Sequence, residues 1–283
     1  LIAIGGTWLA EKIAAKAPSP WVAPAGLIGL SAVSLTLTTR DYFGRYASHP
    51  DLPRDFYQAD WRLGQYAAAQ PPETVLYFSP SQEEMATIYF ALADPNGIRS
   101  FNGDEGLIPA GIPEQPAVYL VRPAAKSALS NLQSYFPSGE VRQSEDNFVA
   151  FHVPADAERI RTEMTTDSDF GGTIKLVGYT IDHTGEQVLI TLAWQAIAAT
   201  AVDYTGFVHL LDAGGDLVAQ TDRPPAGYPT SDWRPGEIII DHFRVDLPSN
   251  MSPGTYPLRT GFYDPATVAR LGEAADLGPI NLP

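Results

Sequence analysis

The chain contains no cysteine. Disulfides, thiolate nucleophiles and Cys-based zinc or iron–sulfur centres are excluded at once, while the compartment stays open. Cations are also scarce, with 18 Lys and Arg against 33 Asp and Glu and a formal charge of −15. A surface that acidic repels phosphate backbones, which sets nucleic acid aside as a partner. No Gly-x-Gly-x-x-Gly and no P-loop is present, so a nucleotide-binding fold is not expected. The five histidines, His49, His152, His183, His209 and His242, form neither an H-x-x-x-H nor an H-E-x-x-H pair. Neither "GYPTS" nor "GLSAV" makes a nucleophile elbow. Nothing here calls for a metal or a cofactor.

What is present is apolar and turn-rich. Hydrophobic residues make up 45% of 283, with 25 Pro and 24 Gly, the profile of an ordered chain long enough for about two domains. Residues 21–39, "WVAPAGLIGLSAVSLTLTT", carry no charge over a length suited to crossing a hydrocarbon core. Gly26, Gly29 and Pro24 are tolerated in membrane helices, and Trp21 and Tyr42 sit where interfacial aromatics belong. The expectation is a retained span rather than a cleaved signal peptide. The alternative is a buried helix of a soluble domain. Lys12 and Lys16 before the span favour a cytoplasmic side there, which places residues from about 42 onward outside; Arg40 and Arg45 weigh against it.

From 41 to 155 helical and strand patterns alternate. "LPRDFYQADWRLGQYAAAQ" (52–70) sets Phe56, Trp61 or Asp60, Leu63 and Ala67 at helical spacing. "ETVLYFS" (73–79), "AVYLVRP" (117–123) and "FVAFHVP" (148–154) predict strands. "SQEEMATIYFALA" (81–93), opening with Ser81 and Glu84 as a capping box, and "AKSALSNLQSYF" (125–136) predict helices. This is a small α/β domain. Residues 156–169 are polar and predict a linker. After them six strand-like runs separated by Gly, Pro and Asp clusters predict an antiparallel, Ig-like β-sandwich over 170–283. "LLDAGGDLVA" predicts a hairpin. In "EQVLITLAWQA" the alternation Val188, Ile190, Leu192, Trp194 predicts one buried face. The expected fold is therefore α+β and multidomain: membrane segment 1–40, α/β domain 41–155, linker 156–169 and sandwich 170–283.

Candidate sites are few. "GYPTSDW" offers Tyr228, Asp232 and Trp233 as a carbohydrate or partner contact, because two flat aromatic faces stand beside polar groups. Packing over a sandwich edge accounts for them equally. Asp212, Asp222, Glu237 and Asp241 lie near strand ends, where turn capping competes with paired-carboxylate sugar chemistry. His209 and His242 could meet across a sheet. "GYPTSDWRPGE" predicts a long connection between strands that crosses from one sheet to the other.

The order "RDYFGRYASHPDLPRDFYQADWRLGQYAA", "TVLYFSP", "IRSFNGDEGLIPA", "AVYLVRP" and "LQSYFPSGEV" after a terminal span resembles the end of bacterial membrane glycosyltransferases of the dolichyl-phosphate-mannose–protein mannosyltransferase type. The later "LVGYTID" to "TGFYDPATVARL" is similar to the β-sandwich appended to some of them. The resemblance implies a C-terminal extracytoplasmic region whose catalytic acid and polyprenyl-phosphate sugar site lie in a core outside this sequence. No catalytic residue carries over. Three functions follow as expectations. The first is a non-catalytic membrane-anchored region supporting acceptor recognition or stability. The second is an accessory subunit docking against other membrane subunits, for example of an electron-transfer complex. The third is a glycoside-active enzyme with two converging carboxylates.

Overall fold

The computed structural model describes residues 8, 12, 19, 21–52, 57–80, 86–92, 97–109, 115–145, 147–157, 162–184, 186–249 and 251–282. The charge-free stretch folds as helix α1, Val22–Thr39, continued by a π-helical segment Arg40–Tyr46. Each described side chain of α1 is exposed. Its 18 residues rise about 27 Å against a hydrocarbon core of about 30 Å, and Ser and Thr interrupt the apolar run. Among the described residues no helix is long and apolar enough to cross a membrane.

Residues 60–283 form a second compact unit. Its first part is built as the helix and strand alternation predicts. Helix α2 (Gln58–Ala68) buries Asp60, Leu63, Gly64 and Ala67 along one face. Of the two alternatives for the second anchor, Asp60 is the inward one, ion-paired with Arg122, whereas Trp61 is exposed. Phe56 and the capping pair Ser81 and Glu84 lie outside the described residues. Strand β1 (Val75–Ser79) is followed by α3 (Ala86–Ala91), β2 (Ile98–Ser100), β3 (Gly106–Leu107) and β4 (Ala117–Val121). Helix α4 (Ala128–Tyr135), β5 (Glu140–Glu145) and β6 (Phe148–Val153) close the domain. The sheet order is β2-β1-β4-β6-β5, with β1 parallel to both neighbours and the β4-β6-β5 side antiparallel. The parallel centre is buried on both faces, which is why β4 shows an unbroken apolar run rather than an alternation.

The second part is a sandwich of eight of its own strands: β7 (Met164–Phe170), β8 (Ile174–Thr184), β9 (Gln187–Ala196), β10 (Thr205–Leu211), β11 (Leu217–Arg223), β12 (Ile238–Asp246), β13 (Gly254–Tyr263) and β14 (Ala275–Leu282). The sheets run β11-β10-β13-β14 and β3-β12-β9-β8-β7. Strand β7 lies inside the stretch expected to be a linker. Its polar sequence belongs to an edge strand with alternate side chains in solvent, so only Phe170 at its end is buried. Trp194 is fully buried and packs edge-on against Phe170 of its own sheet and Phe262 of the facing sheet, at 5.8 and 4.6 Å between ring centres. The expected hairpin joins β10 to β11, its turn held by the Asp212 carboxylate accepting the Gly214 and Asp216 N–H groups.

The two parts are fused. Strand β3 belongs by sequence to the α/β domain, yet it pairs with β12 as the edge of the sandwich sheet, Leu107 opposite Ile240 and Gly106 opposite Asp241. Gly106 is required there, because a Cβ would run into the Ile240 carbonyl oxygen and the Ala226 methyl. One continuous apolar core accordingly runs from Tyr77 and Tyr119 of the first sheet to Trp194 and Phe262 of the sandwich.

Candidate functional site

The connection from β11 to β12 does cross from one sheet to the other, and it carries the junction. Pro224 to Gly227 make a tight turn in which Ala226 takes the left-handed conformation at φ 49°, a cost for a residue with a Cβ. The turn is held from both parts. The Ala226 N–H donates to Asp241 at 3.0 Å, and the Ala226 carbonyl accepts from the Asn102 N–H at 2.7 Å. Gly227, at φ 59°, lets the chain pass against Asn102, where a Cβ would collide.

Two ion clusters flank that turn. On one side Arg223 donates to Asp241 at 2.7 Å, to the His242 carbonyl at 2.8 Å and to the Glu105 carboxylate at 3.4 Å, while its guanidinium lies 4.3 Å from the Phe243 ring centre. Asp241 is completely buried and also accepts from the Trp194 indole N–H at 3.3 Å. Burial pushes its carboxyl pKa up; Arg223 and the donated N–H groups pull it down. On the other side Arg99 of β2 pairs with Glu237, whose second oxygen accepts from the Arg234 N–H at 3.0 Å and lies 3.4 Å from the Tyr228 hydroxyl. Burial raises the pKa of Glu237 as well, opposed by Arg99.

These contacts correct the reading of "GYPTSDW" as an exposed platform. Tyr228 and Trp233 are each 3% exposed. Their rings stack on one another, the Trp233 indole donates to the Tyr228 carbonyl at 3.1 Å, and the Tyr228 hydroxyl donates to the Asp232 carbonyl at 2.8 Å. Neither ring has a face free for a sugar; Asp232 alone remains at the surface. Turn capping holds for Asp212, but Glu237 and Asp241 are junction ions, and Asp222 sits 3.4 Å from His209. His209 and His242 lie on different sheets and do not meet. His152 instead pairs with the Tyr66 hydroxyl at 2.8 Å. Among the described residues no group of three His, Asp or Glu is placed to hold a metal.

Beside the junction a cleft opens that sequence reasoning missed. Its floor is the outer face of the sandwich sheet, where strand alternation turns polar side chains outward. Register sets Thr180, Thr191 and His242 side by side across β8, β9 and β12, and the next outward row is Asp182, Leu189 and Arg244. One wall is α4, presenting Asn131, Ser134 and Tyr135; the other is the loop of Asp104 and Glu105. Two adjoining hollows of about 210 and 430 Å³ share Asn131, Thr191 and His242. The Thr191 hydroxyl lies 3.1 Å from His242 Nδ1. Burial and the charge of Arg223 push the His242 pKa down to about 4, so the ring is neutral at physiological pH. The signal for this row was available in "IIIDHFRVD", whose alternation puts His242 and Arg244 on the face opposite Ile239 and Phe243. The α4 wall was not legible, because it comes from a residue stretch more than fifty positions away.

No protein-family model matches the chain, and no curated protein matches it. Among solved structures it is similar to a β-glucuronidase of glycoside hydrolase family 2, at 14% identity over 36% of this chain and 11% of that one, TM-score 0.27. The C-terminal domain of wzt is similar at 12% identity over 43% and 77%, TM-score 0.28. A domain of the outer membrane lipoprotein Omp28 from Porphyromonas gingivalis is similar at 14% over 42% and 96%, TM-score 0.26. Likenesses of this strength carry no argument about function.

Proposed function

We propose that the chain is the non-catalytic, extracytoplasmic region of a membrane glycosyltransferase-like protein, holding an acceptor or stabilising its core. The observation that carries this reading is how the ionisable groups at the junction are used. Arg99 with Glu237 and Arg223 with Glu105 are paired across the two parts, Arg223 also holds Asp241 within the sandwich, and none of the five is left as a poised acid, base or nucleophile. Helix α1, charge-free and exposed, is the bilayer anchor in this reading, with Trp21 and Tyr42 at its interfaces and flanking residues completing its length. In this reading its leading end, after Lys12 and Lys16, lies on the cytoplasmic side, with Arg40 and Arg45 weighing against that orientation. The exposed circumference of α1 equally suits a second reading, an accessory subunit packed against other membrane subunits.

The test gives the full chain, in lipid nanodiscs, a polyprenyl-phosphate-linked hexose with peptide and lipid acceptors and follows product by mass. No product is expected. Turnover abolished by Asp182→Asn or Glu105→Gln would overturn the reading. Stoichiometric co-purification of other membrane proteins from native membranes would favour the accessory subunit.

A further inference from the structure

We propose that the cleft between α4 and the outer face of the sandwich sheet binds an uncharged glycan segment, resting on the non-catalytic recognition reading above. The floor has the composition such a ligand needs. Strands spaced about 4.8 Å apart, with same-face residues about 6.8 Å apart along each, make a platform of roughly 10 by 7 Å. Thr180, Thr191 and His242 stand in a row, each on its own strand; the Thr180 hydroxyl accepts the Glu163 N–H at 3.0 Å and Thr191 lies 3.1 Å from His242 Nδ1, so each hydroxyl keeps a further hydrogen-bonding position for a ligand. Asn131 donates one amide hydrogen to the Gly103 carbonyl at 2.8 Å, which fixes its side chain at the centre where the two hollows meet. Half-buried Tyr135 provides the apolar surface on which the C–H face of a pyranose can rest, while Leu107 and Ile240 line the hollow as buried residues. Small polar groups beside a short apolar shelf, in a hollow of a few hundred Å³, are what orient a ligand by hydroxyls rather than by charge.

Charge disfavours an anionic ligand. Of the two arginines at the cleft, Arg223 is already committed to Asp241 and Glu105. With Glu105 taken up by Arg223, Asp104 and Asp182 still outnumber Arg244 at the cleft and meet an anion with like charge, in a chain of net charge −15. Asp104 accepts the N–H groups of Lys126 and Ser127, at 3.2 and 2.5 Å, so it is a structural cap and not a spare cation ligand. The neutral His242 ring adds a hydrogen-bonding edge without adding charge.

The experiment titrates the full chain in detergent with neutral disaccharides (maltose, cellobiose, mannobiose and lactose) and with a glucuronic-acid disaccharide, by calorimetry and tryptophan fluorescence. The expected result is saturable binding of at least one neutral disaccharide, with Kd between about 0.1 and 10 mM, and weaker or no binding of the anionic one. Thr191→Val, which removes the central hydroxyl with little change of shape, should weaken binding about tenfold, the effect of one lost hydrogen bond. Ser134→Phe, at an exposed position on the wall, should abolish binding by filling the cleft while leaving the unfolding transition unchanged. Absence of binding to every neutral disaccharide, binding indifferent to both substitutions, or preference for the anionic sugar would overturn the site. Loss of the site would leave membrane association and the lack of turnover untouched. A sugar that binds and is then cleaved would keep the site and refute the non-catalytic reading instead.

Discussion

Arg223→Met isolates what holds the two domains together. The substitution keeps an unbranched stem over the Phe243 ring but removes the guanidinium from Asp241, Glu105 and the His242 carbonyl. Asp241 keeps the Ala226 and Trp194 N–H donors, yet it is completely buried and loses the cation paired with it. Removing one partner of a buried pair costs about 3–5 kcal/mol, much of it from the charge left behind. The pH dependence gives the assignment its signature. Burial holds the folded Asp241 pKa above its unfolded value, and losing Arg223 raises it further. A carboxyl raised in this way contributes stability that is present below the unfolded pKa and lost as pH rises through the folded one. The deficit of Arg223→Met should therefore shrink as pH falls and the carboxyl protonates. Urea unfolding of the full chain, followed by the fluorescence of Trp194 and its neighbours at several pH values, measures it. Arg223→Met/Asp241→Asn should recover part of the loss, since the neutral amide has no charge to strand. A deficit under about 1 kcal/mol, no pH dependence, or strict additivity in the double variant would refute the buried-pair account.

Trp194→Ala should cost about 3–5 kcal/mol, the range for a large aromatic truncated in a core, and a loss below about 1 kcal/mol in the same titration would contradict its place between Phe170 and Phe262. Gly106→Ala should detach β3 from β12 and expose the buried 106–108 segment to limited proteolysis; an unchanged digestion pattern would show that the edge pairing does not hold the domains together. His242, with its pKa at about 4 against an ordinary value near 6.5, adds stability present above about pH 6.5 and lost as pH falls through 4, on the order of 3 kcal/mol in full. His242→Gln should flatten that acid slope, and an unchanged slope would place the titration elsewhere. Ala213→Cys in the exposed β10–β11 turn, in a chain with no other thiol, should react with an impermeant maleimide added outside intact cells; protection until lysis would reverse the proposed orientation.

Much of the architecture is legible because local pattern and environment agree. The α/β domain shows itself in alternating helix and strand periods, and Val188, Ile190, Leu192 and Trp194 do point into one core. The misses share a physical cause. Strands β2, β3 and β5 are short or polar edges, and β7 is an edge strand as polar as a linker, so their pairing is decided by neighbours distant in sequence. The exposed alternative for Tyr228 and Trp233 fails for the same reason. A Gly- and Pro-rich stretch with two aromatics looks like an exposed loop until Phe262 of β13 packs against Trp233 and Arg99, from more than a hundred residues earlier, pairs with Glu237. Asp241 carried a local warning. It stands in the inward rank of β12 between Ile239 and Phe243, where an isolated carboxylate is too costly to leave without a cation.

The same placement explains why the junction is built from charge rather than from apolar contact alone. An apolar interface of equal shape would be as stable or more so, since desolvating Asp241 and Glu237 works against folding. What ion pairs add is register. Asp241 accepts from Arg223, Ala226 and Trp194 at once, and only one setting of β12, of the Pro224–Gly227 turn and of the sandwich core meets all three donors. Glu237 imposes the same demand on Arg99, Tyr228 and Arg234. A slip of one residue along β12 would bring both carboxylates to the outer face and send Ile240 and His242 inward. The cleft floor depends on that register, because the Thr180, Thr191 and His242 row exists in one alignment only. Double substitution of both carboxylates by isosteric amides, Glu237→Gln with Asp241→Asn, strands the Arg99 charge and should therefore lower global stability by at least the cost of one broken buried pair, about 3–5 kcal/mol, and weaken disaccharide binding with it. Measuring both on the same protein decides the matter: stability lost with binding intact would leave the ion clusters as simple fasteners.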